Sequence, residues 1–94
     1  MRQEPRQVLR TFKSRARALA FTYGPLAFQS LVESTLDEDD VRRAFSTASL
    51  LDVRSDPLAG TCYVLHGYGM DEEPLILVCR LRRRLIEIID LYRD

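Results

Sequence analysis

Three segments decide the fold: Thr61-Cys62-Tyr63-Val64-Leu65-His66-Gly67, Pro74-Leu75-Ile76-Leu77-Val78-Cys79-Arg80-Leu81 and Leu85-Ile86-Glu87-Ile88-Ile89-Asp90-Leu91-Tyr92. Each is rich in β-branched, aromatic and leucine side chains, which suit a pleated, half-buried surface. The connectors are short. A Gly/acidic loop, Tyr68-Gly69-Met70-Asp71-Glu72-Glu73, separates the first two, and Arg82-Arg83-Arg84 separates the last two. Strands joined this closely form an antiparallel meander, because a parallel pair needs a long crossover. In the middle segment Leu75, Leu77, Cys79 and Leu81 alternate with Ile76, Val78 and Arg80, so both faces are apolar over most of its length. That pattern predicts a central strand covered on each side, by a helical layer on one and a second subunit on the other. Pro74 stands at a strand's first residue, where proline is tolerated.

Working backwards, Ser55-Asp56-Pro57-Leu58-Ala59-Gly60 reads as a turn, and Leu50–Arg54 as a short additional strand. Everything earlier reads as helix. Val8, Leu9, Phe12, Ala16, Leu19 and Ala20 recur at three-to-four spacing and predict a helix from Pro5 to Phe21, with Arg6, Arg10, Lys13 and Arg17 on the opposite side. Gly24-Pro25 breaks it. A second helix is expected over Pro25–Ser34, with Leu26, Phe28, Leu31 and Val32 as its apolar positions. A third is expected over Asp37–Ala48, with Thr35 and Glu38 forming its capping box and Val41, Ala44, Phe45 and Ala48 its buried face. Acids at its start and Arg42-Arg43 later complement the helix dipole. The expectation is therefore a single α+β domain over residues 1–94, helical over 1–48 and an antiparallel sheet of three to four strands over 50–92.

Composition excludes several functions. The 94 residues carry 14 basic and 14 acidic side chains, and a pI near 6.6 is not that of a dedicated nucleic-acid-binding domain. Charge is nevertheless segregated. Arg2, Arg6, Arg10, Lys13, Arg15 and Arg17 face only Glu4 in the first stretch; Glu33, Asp37, Glu38, Asp39 and Asp40 form an acidic run; Arg80, Arg82, Arg83 and Arg84 form a basic one. All basic residues but Lys13 are arginine, the side chain suited to bidentate contacts with carboxylate or phosphate. No stretch is apolar enough for a membrane span. No apolar secretory core follows the N-terminus, so Cys62 and Cys79 are expected to be reduced thiols in a cytoplasmic protein.

Chemistry-bearing residues are few. His66 is the single histidine, at a strand end beside Gly67 and the loop that follows, where it could move a proton. Tyr92 is a second candidate acid, and Tyr63, Tyr68 and Tyr92 are expected near one another on the sheet. Arg80, Arg82, Arg83 and Arg84 could hold phosphates of RNA or of a nucleotide. Asp71-Glu72-Glu73 and Glu33–Asp40 lack calcium-loop spacing and read as solvated acids. With one histidine and no Cys-x-x-Cys, no metal site is expected, and no cofactor fingerprint is present.

From Tyr23 to Tyr92 the order of these segments resembles a bacterial family of small domains related in fold to the BrnT and RelE ribonuclease toxins. The segments that carry the resemblance are Leu26–Leu31, Leu36–Val41, Leu51–Val53, Tyr63–Gly67, Glu73–Val78 and Leu85–Tyr92. Such domains begin the helix with a His-Ala pair and place an Arg a few residues on; here Leu26-Ala27 stands there, and Ser30 or a neighbour replaces the Arg. The resemblance implies the fold, an acidic antitoxin-like partner and, in an active member, RNA cleavage. The reading that follows is a non-catalytic protein-interaction module, homodimeric or bound to another protein. The alternative is a toxin-like RNA-binding protein or ribonuclease, with His66 and Tyr92 as catalytic groups and Arg80, Arg82, Arg83 and Arg84 on phosphate.

Overall fold

A computed structural model describes residues 4–58 and 60–94. Arg2 of the basic start and Ala59 of the turn lie outside the described residues. The chain runs α1 (Pro5–Arg17), β1 (Phe21–Tyr23), α2 (Pro25–Glu33), α3 (Glu38–Ser46), β2 (Ser49–Asp56), β3 (Gly60–Tyr68), β4 (Pro74–Leu81) and β5 (Ile86–Arg93). This is an α+β fold, with helices preceding most strands. The sheet has five strands in the order β1-β5-β4-β3-β2. The β2-β3-β4-β5 part is the antiparallel meander, and β4 is its central strand as expected.

The sheet is larger than three to four antiparallel strands, because Phe21-Thr22-Tyr23 forms β1 and pairs in parallel with β5, Phe21 opposite Ile86 and Tyr23 opposite Ile88. The predicted helix over Pro5–Phe21 accordingly stops at Arg17. Leu19 takes a φ of 59°, which turns the chain out of the helix. The reason is packing. The Phe21 ring lies 6.0 Å from Phe45 and 5.8 Å from Tyr23, contacts that a continued helix would forfeit. Strand β2 is also longer than Leu50–Arg54, with a bulge between Leu50 and Asp52.

Helix α3 is capped two residues later than Thr35 and Glu38 suggest. Asp37 is the N-cap: its Oδ1 accepts from the Asp40 amide at 3.1 Å, and Asp40 Oδ2 accepts from the Asp37 amide at 3.1 Å. Thr35 has a φ of 56°, and its hydroxyl donates to the Ser34 carbonyl instead. Leu36 and Val41, immediately before the cap and at the fourth helical position, are both buried, as in a hydrophobic staple.

One side of the sheet carries the core. Leu65 of β3, Leu75, Leu77 and Cys79 of β4, and Ile86, Ile88 and Leu91 of β5 join Val8, Phe12 and Ala16 of α1 and Val41, Ala44 and Phe45 of α3 in one cluster. Phe12 stacks on Phe45 at 6.2 Å and meets Tyr63 edge-on at 5.4 Å. Gly67 is the point of closest approach: a Cβ there would lie 2.0 Å from the Ala44 carbonyl oxygen, so only glycine lets α3 rest on β3. The opposite face presents Cys62, Val64, His66 and Tyr68 of β3, Ile76, Val78 and Arg80 of β4, and Glu87, Asp90 and Tyr92 of β5, following the strand alternation and register. Val64 and Ile76 are shielded there without belonging to the helix-side cluster.

Candidate functional site

The bare sheet face divides into two chemically different ends. At the β3–β4 turn end, register sets His66, Ile76 and Tyr92 side by side across three strands. His66 Nε2 lies 3.5 Å from Asp94 Oδ2, and the His66 ring meets Tyr68 edge-on at 5.2 Å. A histidine, a carboxylate and a tyrosine ring therefore meet at this end. The loop next to it spans residues 69–73. It is fastened to α3: Asp40 Oδ1 accepts from the Met70 amide at 2.9 Å, Arg43 Nε donates to the Gly69 carbonyl at 3.1 Å, and Arg43 pairs with Glu72. The Thr47 hydroxyl accepts from the Tyr68 amide at 2.8 Å. The Met70 amide, above all, together with the reciprocal bonds to Asp37, holds the Asp40 carboxyl below its usual range.

At the β4–β5 turn end, the two inner arginines are engaged. Arg80 donates to Glu87 Oε1 through Nε at 3.1 Å and Nη2 at 2.8 Å, and Arg82 Nε donates to the same oxygen at 3.0 Å. Burial pushes the Glu87 carboxyl up, but the bonds from Arg80 and Arg82 outweigh it, and its pKa falls below the ordinary value. Arg83 and Arg84 are exposed in the turn. The backbone of the turn is held by a residue the sequence reading did not single out. Arg15 of α1 donates to the carbonyls of Arg82 (2.8 Å), Leu85 (3.2 Å) and Arg83 (3.2 Å). The available signal was its helical phase: Arg15 falls off the stripe formed by Arg6, Arg10, Lys13 and Arg17.

These two ends stay apart. Arg80 lies four residues along β4 from Ile76, the partner of His66, which is roughly 13 Å, and Arg82 lies roughly 20 Å along the strand from it. The structure thus sets His66 and Tyr92 at the same end of the bare face with Ile76 between them, brings Arg80 and Arg82 together on Glu87, and keeps the two pairs apart. Tyr63 separates from Tyr68 and Tyr92, because it points into the core against Phe12. Three shallow hollows of about 470, 560 and 520 Å³ are present, and none of the three is lined by His66 or Tyr92. Among the described residues no group of three or more His, Cys, Asp or Glu is placed to hold a metal ion, and no helix is long and apolar enough to cross a membrane.

A different surface was partly hidden in the sequence. Helix α2 buries Ala27 alone, while Leu26, Phe28 and Val32 are 54, 58 and 63% exposed. Phe28 and Val32 sit one turn apart on the same flank. Leu26 lies one turn from Ser30, whose hydroxyl donates to Asp90 Oδ1 at 3.3 Å, so Leu26 borders the bare face. The residues that read as this helix's apolar positions are therefore mostly in solvent.

Comparison with family models, curated proteins and solved structures returns no match to this chain.

Proposed function

We propose that this protein is a non-catalytic interaction module whose partner is another protein with an apolar groove that takes helix α2. One observation carries the reading: α2 is apolar on most of its surface yet covered on one side only. A helix that is hydrophobic all round is ordinarily buried, and Phe28 and Val32 at i, i+4 are the anchors of a helix-in-groove contact. The poverty of assembled chemistry supports the same reading, since Arg80 and Arg82 share Glu87 and stand far from His66. The unbonded thiols Cys62 and Cys79 suit a reducing cytoplasm, where an antitoxin-like protein is a fitting partner.

The test replaces Phe28 and Val32 together by glutamate and follows association by light scattering and by capture of interacting proteins. Loss of a specific complex, with thermal unfolding unchanged, supports the reading. If the wild-type chain and the double variant capture the same set of proteins, the reading is wrong.

The second reading, a toxin-like RNA-binding protein or ribonuclease, is favoured by the exposed turn at Arg83 and Arg84, which form no ion pair among the described residues, and by the His66–Asp94 pair. It requires salt-dependent RNA binding that weakens when Arg83 and Arg84 become alanine. Cleavage, if present, must be abolished by His66→Ala.

A further inference from the structure

Strand β2 closes the sheet on the side opposite β1. Seven of its eight residues are exposed. Leu51 and Val53 are 58 and 50% exposed, and the strand holds neither proline nor lysine. Proteins usually blunt such an edge with charged side chains, a proline, a bulge or a very short strand, and the bulge of β2 lies at its start, between Leu50 and Asp52. Here the central charges are of both signs. Asp52 and Arg54 point to the bare face, opposite Val64 and Cys62 of β3, and pair with each other at 3.1 Å. Between them, the Val53 N–H donates to Asp52 Oδ1 at 2.9 Å. That amide is satisfied by a neighbouring side chain.

We infer that β2 pairs antiparallel with β2 of a second copy of this chain about a two-fold axis at Val53, giving a continuous ten-stranded sheet. Charge complementarity selects this occupant and this register. With Val53 opposite Val53 of the second copy, Asp52 faces Arg54 of that copy and Arg54 faces its Asp52, so the two-fold axis generates two cross-strand ion pairs from one. The Val53 amide exchanges its bond to Asp52 for one to the Val53 carbonyl of the second copy, which releases the Asp52 carboxylate for the new pair. A one-residue slip would place Asp52 against Val53 and turn every side chain to the wrong face. This surface is separate from α2, which packs along β5 near the other edge; the dimer would present one α2 at each far end.

The experiment measures the mass of the purified full chain by sedimentation velocity over a wide concentration range, for wild type, Asp52→Arg, Arg54→Asp and the double exchange. Both side chains are well exposed, 53% for Asp52 and 67% for Arg54, and circular dichroism checks that each variant keeps its fold. The expected result is a wild-type dimer, association weakened about tenfold or more in each single variant by like charges set opposite one another, and recovery in the double exchange, where the pairs are restored with reversed polarity. A wild-type monomer at every concentration overturns the inference. So does a dimer indifferent to the single reversals, which would place the contact on another face and leave the α2 reading standing. A double exchange that stays monomeric overturns the assigned register.

Discussion

Helices α2 (Pro25–Glu33) and α3 (Glu38–Ser46) are each nine residues long, yet α3 buries Val41, Ala44 and Phe45 while α2 buries Ala27 alone. Nine residues are too few for a helix to hold in water by itself, so each needs outside support. Helix α3 receives it twice, from the Asp37–Asp40 box at its start and from the sheet beneath it. Helix α2 has no side-chain cap and is held by its entry from β1, by Ala27 and Leu31, and by the Ser30–Asp90 bond. The same length of helix thus serves the core in one place and offers an apolar surface in the other. What separates them is the direction in which their apolar residues point.

The contrast breaks most severely at α3. Phe45→Ala removes a fully buried ring that touches Phe12 and Phe21, and a loss of about 3–5 kcal/mol in a denaturant titration is expected. A loss under about 1 kcal/mol would mean the core does not depend on this helix. Gly67→Ala drives a methyl into the Ala44 carbonyl, where only backbone movement gives relief; the expected loss is about 3 kcal/mol. Normal stability in that variant would show that α3 does not lie so close to β3. Asp37→Ala deletes the cap at a cost of about 1 kcal/mol, and Ser34→Ala, at the end of α2, serves as the near-neutral control.

Tyr23 connects the two helices, since it precedes α2 and lies near the acids that open α3. Burial, with Glu38 and Asp37 adding repulsion, pushes its phenol up to about 12, and its hydroxyl is enclosed with no hydrogen-bond partner among the described residues. The phenol is held neutral in the folded state, so its contribution is fully present below about pH 10, the unfolded value, and is lost as pH rises toward 12. Tyr23→Phe should be neutral or stabilising by up to about 1 kcal/mol at pH 7 and should flatten the alkaline limb of the stability curve. An unchanged alkaline limb would refute the placement of this ring. The smallest effect belongs to α2: Phe28→Ser should change stability by no more than about 0.5 kcal/mol, and a larger loss by thermal denaturation would mean that Phe28 is packed rather than presented.

The candidate sites were legible as residues but not as neighbours. His66 and Tyr92 were visible as the scarce titratable groups of the sheet, and register sets Ile76 between them. Nothing in the local pattern could show that Arg80 and Arg82 converge on Glu87, because their contact crosses the β4–β5 hairpin. Arg15 was passed over for the same reason, its partners lying in a turn 67 to 70 residues away. The expectation that Tyr63, Tyr68 and Tyr92 gather failed on strand alternation, which sends Tyr63 to the helix side.

By itself the sequence determined the α+β class, the three long strands, the central place of β4 and the faces of α1 and α3. These follow from periodicity and from short connectors, which are local properties of the chain. Only the tertiary structure decided that Phe21-Thr22-Tyr23 leaves the first helix to become a strand. Three residues carry too little periodic signal, and the energy that favours the strand comes from Phe45 and Ile86, distant in the chain. Tertiary structure also decided which side of each two-faced element is covered. The apolar residues of α2 read as buried positions in the sequence, because hydrophobicity records what a side chain would gain by burial and not whether another layer of this chain is there to bury it.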